Sequence, residues 1–99
     1  MNTRMQPKDR KEQILLAAVE LSRSSNYMRV TRDQIAEKAG VAMGLVTYYF
    51  STMAQLRRDV MRYAVRCEVL EIIAQGLALG DTQARKAPED VRKKAVATL

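Results

Sequence analysis

The sequence has no histidine, no tryptophan and a single cysteine, Cys67. Without histidine it lacks the commonest metal ligand and the commonest general base. One cysteine excludes an internal disulfide and any cysteine-based zinc cluster. No carboxylate pair, nucleophile with an adjacent base or phosphate-binding loop stands at a workable spacing, so the chain is read as a non-enzyme without metal or cofactor. Long apolar runs are also missing: none approaches the roughly 20 residues of a membrane-spanning helix. The stretch from Met1 to Lys11 is too polar for a signal peptide. A cytoplasmic location with no membrane partner is the expectation that follows.

What is present describes a small folded protein. Its 99 residues fit one domain with a modest core, a size at which stability often draws on a partner subunit. Hydrophobic residues make up 47% and charged residues 28%, the composition of a globular chain. Lysine and arginine number 17 against 11 acidic residues, a net charge of +6 that favours a polyanion as partner.

The patterning is helical throughout. Pro7 suits the first turn of a helix running toward Ser24, with Ile14, Ala17, Ala18 and Leu21 on one face and Lys8, Arg10, Lys11, Glu12 and Glu20 mostly elsewhere. The residues before it form a short flexible arm carrying Arg4. Ser24 to Tyr27 is turn-forming, with Asn26 best able to take a left-handed conformation. Thr31 and Gln34 have the spacing of a capping box that opens a second helix through Ile35, Ala36 and Ala39, which Gly40 ends. A tight turn leads to a two-turn helix over Met43 to Tyr49, packed through Val46 and Phe50. Beyond a cap at Ser51-Thr52, a stripe of Leu56, Val60, Ala64, Cys67, Leu70 and Leu77 predicts about six turns ending near Leu79, the longest helix. Cys67 on that stripe reads as a small buried hydrophobe. Arg57, Arg58, Arg62 and Arg66 read as its solvated face. Pro88-Glu89-Asp90 opens a last helix toward Leu99.

Two short helices around a glycine turn form a helix-turn-helix, in which the first helix braces the second for entry into a DNA major groove. The run from Thr31 to Val41, then Gly44, Tyr49-Phe50 and Leu56, together with Ile14 to Leu21, resembles the DNA-binding half of TetR-family repressors over about Lys8 to Ala64. The resemblance implies an all-α fold: a three-helix DNA-binding domain, a long fourth helix and a short helical dimerisation segment. It also implies base-edge contacts from Met43, Leu45, Thr47 and Tyr48, with Gly44 among them and Tyr49 near phosphate. Thr47 and Tyr48 can hydrogen-bond to bases or backbone, whereas Met43 and Leu45 suit apolar features such as a thymine methyl. Packing at the helix end is expected for one of the two tyrosines.

Two departures from the family pattern are Ala42, where a polar residue is usual, and Met53, where a phosphate-contacting lysine is usual. Arg4, Lys8, Arg10 and Lys11, with Thr31 and Arg32, are the replacements considered for those contacts. Thr31 serves either as a cap alone or as cap and phosphate ligand. Relatives of full length continue well past the fourth helix; this chain is read as a complete short repressor in preference to an amino-terminal fragment, and no small-molecule effector is expected. A homodimer is expected because two-fold symmetry brings two reading helices to successive grooves about 34 Å apart. Val69, Ile72, Ile73, Leu77, Val91 and Val96 are its candidate interface. The chain thus divides into an arm at 1–7, a helix-turn-helix domain at 8–64 and a dimerisation segment at 65–99. The expected partner is a double-stranded operator, in the chain's own or a neighbouring promoter. The alternative is a module that binds a regulator or polymerase without reading DNA.

Overall fold

Pro7 opens the first helix, as its fixed φ and missing N–H favour. The computed structural model describes residues 6–99, all helical or connecting, with no strand among them. Helix α1 spans Pro7–Ser24, α2 Arg32–Ala39, α3 Met43–Tyr49, α4 Met53–Cys67, α5 Leu70–Leu79 and α6 Glu89–Val96, and a 3₁₀ turn at Ala84–Lys86 precedes α6. The arm residue Arg4 lies outside the described residues.

α1 lies against α2, α4 and α5, while α6 packs on α5. The core contains Ile14 and Ala18 of α1, Ile35 of α2, Val46 and Phe50 around α3, Leu56, Val60 and Met61 of α4, and Ile72 and Ile73 of α5. Ends are closed locally. Thr31 Oγ1 accepts from Gln34 N at 3.2 Å while Gln34 Oε1 accepts from Thr31 N at 3.1 Å, completing the capping box. Gly40 ends α2 at φ +72°, a conformation that costs glycine little. From α1, Gln13 Nε2 donates to the terminal carbonyl of Ala39 at 2.8 Å, satisfying one acceptor that the helix leaves open.

The fourth helix is shorter than its stripe predicts. It stops at Cys67, Glu68 takes a left-handed conformation at φ 55°, and the Val69 N–H reaches back to Ala64 O at 2.9 Å. The apolar spacing continues across this break, so α5 is a separate helix that turns back onto α1 and α4. Cys67, placed at the break, is exposed and not buried. Asn26 also departs from expectation, since Glu68 is the only non-glycine residue at positive φ among those described. Asn26 instead accepts from Met28 N through Oδ1 at 2.9 Å, an Asx turn.

Ile72 and Ile73 are fully buried and Val91 is 3% exposed, so these three face the protomer's own core and have no surface for a second copy. Burying them is what joins α5 and α6 to the helix-turn-helix. Polar contacts reinforce the junction: Gln75 accepts from Tyr27 N and donates to Ser22 O, both at 2.8 Å. Tyr27 donates its phenol to Asp81 Oδ2 at 2.7 Å, and Asp81 Oδ1 accepts from Gln83 N and Ala84 N. Burial raises the Tyr27 phenol well above its usual pKa, and the Asp81 carboxylate raises it further. The folded protein therefore holds the phenolic proton more tightly than the unfolded chain. The resulting stability is complete below about pH 10, where a free phenol ionises, and falls above it. Urea midpoints between pH 9 and 11 should decline more steeply for the wild type than for Tyr27→Phe; parallel declines would refute this.

Candidate nucleic-acid interface

α3 is only seven residues long, so its orientation comes from what it packs against. Val46 and Phe50, fully or almost fully buried, pin one face to the core. With that face fixed, the helical period sends Met43 and Thr47 out along one edge and Gly44 and Tyr48 out along the next. Tyr48 is 76% exposed and Met43 48%, both large side chains with apolar surface left in solvent. Gly44 has open space beside it, and Thr47 Oγ1 makes only a loose 3.5 Å contact with Met43 O. These four form the free face of the helix.

Leu45 does not join them. It is half-buried and packs against the core on the same edge as Tyr49. A direct base contact from Leu45 conflicts with that packing. Tyr49 is the tyrosine that packs, its ring edge-on to that of Tyr48 at 5.0 Å and 84°. Ala42 offers α3 no side-chain cap, whereas Thr52 caps α4 by accepting from Gln55 N at 3.1 Å.

Several of the cations line two clefts, one reaching Phe50 at the end of α3 and the other walled by Met43 and Thr47. Lys8, Lys11, Arg62 and Arg66, with Tyr63, line a 360 Å³ cleft between α1 and α4 that also holds Glu12 and Asp59. Lys11 Nζ stands over the Phe50 ring, 5.4 Å from its centre. The second cleft, of 430 Å³, lies where the start of α2 meets α3 and the start of α4. Thr31, Arg32, Met43, Thr47 and Met53 line it, and so do Arg29 and Arg57. Arg57 is half-buried and so departs from the solvated face read for α4. Its position was not legible because α4 and α2 are brought together only by the tertiary fold. Arg32 donates from Nη2 to Ser51 O at 2.9 Å, which fastens the turn behind α3 to α2. Thr31 spends an oxygen lone pair on its cap, and its hydroxyl hydrogen has no acceptor among the described residues.

A short exposed helix braced by a capped neighbour, with basic clefts beside it, is the geometry of a helix-turn-helix that binds DNA. Residues 14–60 match the family model for bacterial regulatory proteins of the tetR family. The chain carries the amino-terminal DNA-binding domain of that family of transcription regulators. No match was found among curated proteins or among solved structures. Among the described residues no helix is long and apolar enough to cross a membrane, and no cluster of three potential metal ligands occurs.

Proposed function

We propose that the chain is a sequence-specific transcriptional repressor that binds double-stranded DNA as a homodimer at its own or a neighbouring promoter. The observation that carries this reading is the free face of α3, with Met43, Gly44, Thr47 and Tyr48 turned outward while Val46 anchors the helix. Such a face suits a major groove in which thymine methyl groups meet Met43 and hydrogen-bonding base edges meet Thr47 and Tyr48. One seven-residue helix covers few base pairs, so specificity calls for a second copy. Leu79, Val96 and Leu99, exposed by 60%, 52% and 77%, support pairing through α5 and α6, with half-buried Val69 and Leu77 as further candidates.

The test is selection of bound duplexes from a random pool. It should return a two-fold motif whose half-sites lie about one helical turn or a multiple apart, bound far above random duplex and with affinity falling steeply in salt. The protein should sediment as a dimer at micromolar concentration and reduce transcription from a promoter bearing the motif. Equal affinity for every duplex would overturn sequence-specific reading. A persistent monomer would overturn the dimer, and raised transcription the repressor assignment.

A further inference from the structure

We propose that the cleft between α2, α3 and α4 is a seat for a single DNA phosphodiester, held by Arg29 and Arg57 with the Thr31 hydroxyl. The proposal rests on the DNA-binding reading above and names where that contact is made. Three guanidinium groups, from Arg29, Arg32 and Arg57, line the cleft with one carboxylate, Asp33. Among the described residues, no carboxylate is ion-paired with any of the three; the ion pairs are Arg23–Glu71 and Lys93–Glu89, elsewhere. The Nε donors of Arg32 and Arg57 are buried without an acceptor. The cleft thus sets three positive charges against one carboxylate that pairs with none of them, and holds unused N–H donors at two of the arginines.

Its position selects the ligand. Met43 and Thr47, one outward edge of α3, form part of its wall. An α-helix with its side chains is about 10–12 Å across and the major groove about 12 Å wide, so a helix lying in it has a sugar-phosphate strand close along each flank. A cleft opening along that edge of α3 faces such a strand. Arginine suits a phosphate there, since its planar fork places two N–H groups on two oxygens. Arg32 is partly committed to Ser51 O, which leaves Arg29 and Arg57 as the principal holders. Thr31 can donate its hydroxyl hydrogen without giving up its cap. Met53, on the same wall, supplies no charge, and Arg57 one turn further along α4 supplies it instead.

The experiment uses the full chain, a duplex returned by the selection and fluorescence anisotropy across a salt series. Each phosphate contact contributes about 0.9 to the slope of log affinity against log salt concentration. Both copies in the dimer carry the seat, so Arg29→Gln and Arg57→Gln should each flatten the line by about twice that amount, with the ranking of mismatched duplexes unchanged. Arg57→Lys should restore the slope, and Lys86→Gln, exposed in the 3₁₀ turn before α6 and in neither cleft, should leave it alone. In the wild type itself, the side-chain Nε–H resonances of Arg29 and Arg57 should shift when duplex is added. Unchanged slopes, or unmoved resonances, in a protein that still prefers its selected duplex would overturn the phosphate seat while leaving DNA reading intact. A wild type with no preference among duplexes would overturn both.

Discussion

Phe50→Ala is expected to lower the free energy of unfolding by about 3–5 kcal/mol, the cost of emptying a core site of an aromatic ring. Phe50 is 1% exposed, is the largest of the fully buried side chains and terminates α3, its N–H donating to Val46 O at 2.9 Å. Against a typical total of about 5–15 kcal/mol, the loss leaves a protein close to its unfolding threshold at room temperature. The effect should reach DNA binding as well. α3 has no side-chain amino-terminal cap and is too short to persist alone, so its pose depends on Phe50 and Val46 beneath it. Urea denaturation followed by circular dichroism gives the first effect and duplex anisotropy the second. A loss under 1 kcal/mol would mean that the ring is not the anchor described.

The second large effect is expected at Gly76. A β-carbon built there would lie 2.5 Å from Met61 Cε and 2.8 Å from Ala84 Cβ. Met61 could swing its flexible end only within a full core, and Ala84 Cβ is fixed to its backbone. Gly76→Val must therefore push α5 away from α4 and the 3₁₀ turn, at a cost of about 2–3 kcal/mol, or roughly 10–20 °C in melting temperature. Gly76→Ala should lose less, because helix propensity returns about 1 kcal/mol. Gly44→Ala is the control: it has open space, so it should gain stability from propensity alone. Calorimetry of the three proteins decides the matter, and a Gly76→Val protein that melts with the wild type would refute the close packing.

Much of this architecture was legible because its signals are local. The Thr31 and Gln34 capping box, the left-handed Gly40 and the proline openings of α1 and α6 depend on residues a few positions apart. What sequence spacing could not reveal was decided across the fold. Ala64, Cys67 and Leu70 keep one helical period through the break at Glu68, so periodicity predicts one long helix where the chain makes two. The left-handed glutamate costs about 1–2 kcal/mol, and the burial of Ile72, Ile73 and Ala74 against α1 and α4 offsets it. Gly76 weakens helix propensity, yet it sits inside α5 as the point of closest approach. The site divides in the same way. Met43, Thr47 and Tyr48 follow from the period of α3, whereas the inward turn of Leu45 and the arrival of Arg29 and Arg57 beside Thr31 depend on neighbours distant in sequence.

Cys67, exposed where α4 ends, has a practical consequence. It is the chain's sole thiol, and α4 is roughly 22 Å long at 1.5 Å per residue, so a maleimide dye attached there sits remote from Thr52 and the reading surface. Copies labelled with donor and with acceptor would then report any pairing by energy transfer, with and without a DNA duplex. The same sulfur, left in air without reductant, would weld copies into covalent pairs that mimic a native assembly on a sizing column.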